Sequence, residues 1–396
     1  MTKLLTFPRM TVLMVLFSFM PFAAVVFTPA YPQLTREFHL SDVQSQWMMT
    51  IFLLATPLGR LPYGPLANRY GRKKTLFLGL FICLFGTIVI LAAQSYVLVC
   101  IGRFIQAFGS AATLKIAYTM IGDLHKGREA TKILSYASLI YAILPGIGTA
   151  VSGFLVDSFG WRGGFWFFLL FTIALIFSCF CLPETIKEVD LGALKVRKIA
   201  KGYGKQFKDL YLVLWSSLMG LSTAVLFIFS QQAPFIAIDL MGLTAAQYGV
   251  FYLVPALGIA GGSFLTAYLA DKMSSMMGMF LGIATILVGT LAMGGLFLGQ
   301  WISGLALFLP QVVIQLGDAL LYTNASSKAL SDAEDKSNAS AIMLFINSSG
   351  AVVGTFIVGI LAPRYLMAMP IAFLVITIIM FAIWLKLYTH RKKARS

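Results

Sequence analysis

Apolar runs of about 20 residues recur along the whole chain, parted by short polar stretches, and a run of that length wound as a helix crosses the hydrocarbon core of a bilayer. Twelve such runs stand at roughly 11–31, 45–65, 75–94, 96–121, 133–156, 163–182, 210–236, 248–270, 274–298, 301–325, 339–362 and 366–388. They predict an all-α membrane protein of twelve transmembrane helices. The first run has the length of a full span and lacks a convincing small-residue cleavage site, so it reads as a retained helix and not a signal peptide.

Composition agrees with the pattern. Of 396 residues 59% are hydrophobic and 11% charged, more apolar surface than soluble cores of this size can hide. The net charge of +15 does not point to nucleic acid, because the cations gather in loops between the runs. If the first span leaves the cytoplasm, the inner segments collect 24 Lys and Arg, while the outer loops hold only Arg36, Arg162 and Arg364. That asymmetry places both termini in the cytoplasm.

The longest interruption is a basic stretch that divides the helices six and six and reads as a linker on the anionic inner leaflet. The chain thus parts into an N-terminal half, 1–185, a linker, 186–209, and a C-terminal half, 210–396. Leu66-Ala67-Asn68-Arg69 after the second span is echoed by Leu269-Ala270-Asp271-Lys272 after the eighth, 203 residues on (271 − 68). Duplicated halves are the plan of many secondary transporters.

The segment Gly64-Pro65-Leu66-Ala67-Asn68-Arg69-Tyr70-Gly71-Arg72-Lys73-Lys74 lies between the second and third spans. Its glycines bracket a tight turn with a capping Asn inside, and a cationic cluster follows, which predicts a cytoplasmic gating loop built on Gly64, Asn68, Arg69, Gly71 and Arg72. Cys83, Cys100, Cys179 and Cys181 all fall in apolar runs without metal-ligand or disulfide spacing. His39, His125 and His390 fall in loops or the tail, so a membrane enzyme lacks its parts, no cofactor is implied, and no glycine-rich phosphate loop supports an ATP-driven pump.

Charge inside the spans carries the remaining information. Arg60, Arg103, Lys115 and Asp318 lie within runs, with Asp123 and Asp271 at inner ends. A charge at mid-bilayer costs about 2.5–3.5 kcal/mol on insertion scales, so each deep one needs a role or a partner. Gln311, Gln315, Asp318 and Tyr322 fall at i, i+4, i+7 and i+11, one polar face down the tenth helix. Two readings follow: a cavity wall on which Asp318 loads and releases a proton, or a fixed partner for a cation in a helix contact. Arg103, Gln106 and Ser110 form a second stripe on the fourth helix. Lys115 is about 120° round from it by the 3.6-residue repeat, and Lys115 and Arg60 either snorkel to the cytoplasm or contact an anion. Gln231 and Gln232 with Ser230, and Asn347 with Ser348 and Ser349, supply neutral hydrogen bonds to a substrate cavity or to helix packing. Pro145, Gly148 and Gly153 mark a kink-prone fifth helix.

The loop segment, Arg103-Phe104-Ile105-Gln106 with Gly109, Gln232-Ala233-Pro234-Phe235 and Asn338-Ala339-Ser340-Ala341 together resemble the major facilitator superfamily over nearly the whole chain. Within it the chain resembles the drug/metabolite:proton antiporters of the bicyclomycin and chloramphenicol resistance group. The resemblance implies a monomeric secondary transporter, a small-molecule substrate, coupling to protons and a buried, functional Arg103. Four positions depart from the pattern: Asn68 replaces the loop aspartate, Val25 stands where an acid is common, Thr149 where the antiporter motif has proline, and Arg60 where glutamine is common. Three deep cations against one deep carboxylate also motivate an alternative, a carrier for an anionic metabolite or polycarboxylate such as a siderophore. The leading expectation is proton-coupled export of a small amphipathic compound.

Overall fold

A computed structural model describes residues 7–125, 127–186, 188–190, 192–195, 204–331, 336–361 and 366–393. Lys3, Lys126, Lys187, Arg364 and the middle of the basic linker, 196–203, lie outside the described residues. Among those described the regular structure is helical, without strands, and the long helices in chain order are α1 (Phe7–Val25), α2 (Asp42–Tyr70), α3 (Arg72–Leu91), α4 (Tyr96–Leu124), α5 (Gly127–Phe159), α6 (Arg162–Cys179), α7 (Leu210–Pro234), α8 (Val254–Leu269), α9 (Ser275–Leu298), α10 (Gly304–Ser331), α11 (Lys336–Leu361) and α12 (Ala368–Lys393). Each covers one of the twelve runs. Among the described residues eleven spans are long and apolar enough to cross a membrane, counting Arg9–Glu37 across the break after α1 and Ala245–Leu269, which ends in α8, as one span each, and α2 is the exception. It has the length, 29 residues, but Gln46, Thr50, Thr56, Arg60 and three prolines dilute its apolar character. Gln46, Thr50 and Thr56 are buried, so their polar groups turn into protein and not lipid.

Proline shapes the end of α1. Pro29 has no N–H to give to the carbonyl four residues back, which belongs to Val25. The helix stops there and resumes, through a tight turn at Thr28–Ala30, as Tyr31–Glu37. The carbonyl of Val25 instead accepts from the hydroxyls of Thr28, at 2.8 Å, and of Thr149 on α5, at 3.3 Å. Water cannot satisfy such a group at this depth, so the break persists only because side chains do.

The segment from Gly64 to Lys74 is tighter than a glycine-bracketed turn. Gly64 and Asn68 lie inside α2, which runs on to Tyr70, and Gly71 alone separates it from α3. Gly71 has φ 99° and ψ 157°, a conformation that essentially only glycine adopts. Asn68 is therefore not the cap of a helix start; the sequence reading is corrected on that point.

The helices pack in two compact units. The first is Met1–Leu40, Trp47–Ala200 and Ala245–Val250; the second is Ser41–Gln46, Lys201–Thr244 and Phe251–Ser396. In the first, α3 and α4 meet along a seam where a Cβ on Gly79 would strike Ala112 and the Gly109 carbonyl, and one on Gly86 would strike the backbone of Gln106 and Gly102. In the second, Gly282 meets the Gly317 carbonyl and Leu321, and Gly289 meets Pro310 and Ile314, joining α9 to α10 in the same manner. The glycines match at one offset, 203 residues (282 − 79 and 289 − 86), the offset of the repeated loop motif. Gly59 against Phe108 and Ala111, and Gly262 against Leu316 and Ala319, extend the match, with α10 numbered 208 beyond α4 (316 − 108 and 319 − 111). The two units thus repeat one internal packing scheme.

These seams give a direct test. Gly86→Leu or Gly282→Leu must push two backbones apart, overpacking that costs about 1–3 kcal/mol or more, whereas Gly295→Leu, with nothing within 4 Å of its Cβ position, is tolerated. Thermal stability of detergent-solubilised variants followed by size-exclusion chromatography is expected to fall for the first two and hold for the third.

Candidate functional site

The loop end of the first unit is a network of hydrogen bonds and charge around Arg72. Its Nε lies 3.4 Å from Asp123 Oδ2 on α4, and its Nη1 donates to Asn68 Oδ1. Glu184 accepts from the backbone N–H of Arg72 at 2.9 Å and of Lys73 at 3.1 Å, which caps the start of α3 with a full negative charge. Thr185 donates to Asp123 at 3.0 Å, and Lys73 Nζ donates to the carbonyl of Phe180 at 2.9 Å. The anion that Asn68 lacks is thus supplied by Asp123 and Glu184. Arg69 stacks over the Tyr70 ring, 5.7 Å from its centroid.

Arg103 is buried, at 1% exposure, and ties the interrupted α1 to α4. Its Nη1 donates to the carbonyl of Ala23 at 3.1 Å and to Gln106 Oε1 at 2.7 Å; its Nη2 donates to the carbonyl of Ala24 and to Tyr31 OH, both at 3.2 Å. The rings of Phe52 and Phe27 lie 4.3 Å and 5.1 Å from its carbon Cζ, a cation–π cage. Gln106 passes the chain of bonds to Thr87 at 2.9 Å. The carbonyls of Ala23 and Ala24 are the ones freed as α1 breaks, so both terminal nitrogens of this guanidinium are engaged with helix packing, and Ser110 bonds back to Ala107.

Lys115 and Arg60 meet on α2. A Cβ on Gly64, one turn beyond Arg60, would collide with Lys115 Nζ, so the glycine is the seat of the ammonium. Arg60 Nη2 reaches Met20 Sδ on α1 at 3.9 Å. Both side chains are half-buried, and among the described residues Lys115 has no carboxylate within ion-pair distance.

On α10 the polar face predicted from spacing comes together with α7 and α11. Asp318 is 8% exposed and accepts a hydrogen bond from Ser222 on α7. Among the described residues no cation stands within ion-pair distance of it. Thr223 donates to Asn347 Oδ1 at 2.6 Å, and Asn347 Nδ2 donates to Tyr322 OH at 3.4 Å. Gln311 and Gln315 are buried at 0% and 1% exposure, with no hydrogen-bond partner for either amide nitrogen or oxygen. Gln231 donates to the carbonyl of Gln46 at 2.9 Å, and Gln232 is buried beside it. Pro145 lies within the continuous α5, Gly148 seats the ring of Phe22, and Gly153 seats the backbone of Ala245.

Ser222, Thr223, Tyr31, Phe52 and Glu184 carry these contacts and were not singled out from sequence. A lone Ser or Thr in an apolar run is usually packing glue, and Glu184 follows its span without any periodic signal.

Two expectations follow. Glu184→Ala removes the cap of α3 at a cost of about 0.5–2 kcal/mol, read as a lower unfolding temperature, and Glu184→Gln recovers only part because the charge is gone. Arg103→Met strands the carbonyls of Ala23 and Ala24 at about 1–3 kcal/mol for each buried acceptor; poor recovery of folded protein, rather than a clean loss of transport in a stable one, is the expected result.

Comparison with known proteins gives one consistent picture. A family model described as Major Facilitator Superfamily matches residues 12–355. An uncharacterized transporter of Rickettsia bellii is 28% identical over 331 residues, 81% of each chain. A bicyclomycin resistance protein homolog of Haemophilus influenzae is 24% identical over 258 residues, 64% of each chain. Among solved structures a D-xylose-proton symporter superposes with a TM-score of 0.76 over 94% of this chain and 97% of that one, at 15% identity; the likeness there is one of fold.

Proposed function

Because this chain belongs to the Major Facilitator Superfamily and is a multi-pass membrane transporter with twelve helices, we propose that it exports a small amphipathic compound across a bacterial inner membrane and couples that movement to protons at Asp318. Two six-helix halves, 1–185 and 210–396, joined by the linker 186–209, alternate access to the substrate, with both termini in the cytoplasm as the loop cations favour. The similarity to a bicyclomycin resistance protein homolog supports the substrate class.

The observation that carries the reading is the buried carboxylate of Asp318, hydrogen-bonded to Ser222 and without a cation beside it among the described residues. An anion in that position is costly. Binding a proton removes the charge while the site is closed, and contact with water on the other side of the membrane lets the proton leave. The fixed-partner alternative needs a cation, and none stands within ion-pair distance among the described residues. Tyr322, Thr223 and Asn347, half-buried to buried and linked to one another, are the polar groups we assign to substrate contact. Asn68, Arg72, Asp123 and Glu184 serve as the gate, since their bonds join the ends of α2, α3 and α4 to the segment after α6 and must rearrange if those ends move.

A second reading, a carrier for an anionic metabolite or polycarboxylate, is favoured by Lys115, a half-buried ammonium with Arg60 one turn away on the facing helix. Removing the lysine's charge would then weaken transport of anions and leave neutral compounds alone.

Proteoliposomes holding a pH reporter, challenged with bicyclomycin, ethidium or citrate, test both. Bicyclomycin- or ethidium-driven proton movement is expected in the wild type and is expected to fall by about tenfold or more in Asp318→Asn. Unchanged movement in that variant would remove Asp318 from coupling. Proton movement with citrate alone, lost in Lys115→Gln, would establish the anion carrier instead.

A further inference from the structure

Gln311 and Gln315 carry four polar atoms, all buried and none hydrogen-bonded among the described residues. Leaving a buried donor or acceptor unmade costs about 1–3 kcal/mol, so four on adjacent turns of one helix are retained for something that completes them. Gln315 sits where α8 and α10 approach so closely that a Cβ on Gly258 would meet its own Cβ at 2.9 Å. That contact holds the stem of Gln315 against α8 and leaves no room along the seam for a drug-sized molecule. Buried amides without partners are completed by water, which takes two to four polar partners of the kind these amides offer.

The surroundings give the site two ends. One turn before Gln311, Phe308 stacks on Phe251, with ring centroids 5.4 Å apart, and meets Phe229 edge-on at 5.7 Å. Phe229 in turn lies 6.0 Å from the Tyr252 ring, so an aromatic cluster closes that end. Toward the other end stand Asp318 with Ser222, about 10 Å from Gln311 by the helical rise, and then the Tyr322, Asn347 and Thr223 group, with Tyr322 about 16 Å from Gln311. Toward Asp318 and the glutamines, α7 presents the neutral Ser222. Against the same stretch α8 presents Gly258 and Gly262, α9 presents Gly282, Ile286 and Gly289, and α11 reaches Tyr322 with Asn347. None of these carries a charge.

The internal repeat sharpens the contrast. Counting back 208 residues, the offset of α10 from α4 at these seams, Gln311 corresponds to Arg103 and Asp318 to Ser110. The first unit holds a fixed cation where the second holds a neutral amide, and a hydroxyl where the second holds the carboxylate. A permanent positive charge repels mobile protons; a neutral amide does not.

We propose that Gln311, Gln315 and Asp318 form a proton passage contained within the second unit, in which the two amides hold waters that carry protons between Asp318 and the aromatic-capped end, apart from the substrate. A hydronium gives its proton to a carboxylate oxygen of Asp318, leaving water and a neutral carboxyl group, and the reverse step returns it. The passage rests on the reading of Asp318 as the proton site and replaces a direct substrate contact for the two glutamines.

The test is infrared difference spectroscopy between acid and alkaline pH on the full-length protein in lipid. A carboxyl band absent from Asp318→Asn identifies the residue, and its hydrogen–deuterium exchange rate reports proton access without any substrate. Gln311→Met with Gln315→Met, which keeps side-chain length but removes the amides, is expected to slow that exchange by about tenfold or more. Gln311→Ser with Gln315→Ser, which leaves a hydroxyl and room for water, is expected to stay within a few-fold of wild type. Each single Met variant is expected to slow it by a smaller factor, so a misfolded double variant does not decide the matter. Exchange unchanged in the Met variants, or slowed equally by Ser and Met, overturns the passage while Asp318 stands. No band lost in Asp318→Asn overturns both. Weaker bicyclomycin binding in the Met variants with exchange intact returns the glutamines to the substrate.

Discussion

In lipid a backbone or side-chain polar group has no water to fall back on, so each one must find its partner inside the protein. The interrupted first helix shows how far that requirement reaches. Pro29 frees the carbonyl of Val25, the break frees those of Ala23 and Ala24, and three elements are recruited to satisfy them: Thr28 within the same segment, Thr149 from α5 and Arg103 from α4. The aromatic packing of the α1 break on α6, in which the rings of Phe27 and Phe165 stack at 3.9 Å, lies beside this core of hydrogen bonds. A guanidinium buried among carbonyls and ring faces is thereby a structural tie as well as a charge.

The two units solve one packing problem and then diverge. Both bring a helix pair together along glycines that allow backbone to touch backbone, at matched positions in the chain. Van der Waals contact and interhelical hydrogen bonds drive such association in membranes, since burial of apolar surface gains nothing against lipid tails. The first unit spends its deep polar groups on a cation whose two terminal nitrogens make four hydrogen bonds. The second keeps a carboxylate with a single hydroxyl donor and two amides without partners. Fixed charge serves architecture in the first unit, and the under-satisfied groups of the second keep capacity for a further partner.

The loop network teaches a related lesson about motifs. Asn68 looks like a loss when the motif is read along the chain, because an anion is missing beside the arginines. In three dimensions Asp123 and Glu184, 51 and 112 residues away from Arg72, bring carboxylates to the same place. The electrostatic requirement is met by position in space, and sequence adjacency is one route among several to that position.

Twelve spans, the dominance of helix and the polar face of α10 were legible in the sequence, because run length, hydropathy and the 3.6-residue repeat are properties of a chain segment by itself. The echo between Asn68 and Asp271 likewise showed the duplication before any contact was known. What only the tertiary structure decided is which polar residues are spent and which are spare. Arg103 and Asp318 are alike in sequence, each a lone deep charge on a polar stripe, and their difference lies in what neighbouring helices bring to them: carbonyls, a phenol and two rings in one case, one serine hydroxyl in the other. The continuation of α2 through Gly64 was hidden for the same reason, since the lysine seated on that glycine comes from α4. Partners supplied by residues distant in the chain leave no periodic trace, and in a membrane it is those partners that fix what each buried group can do.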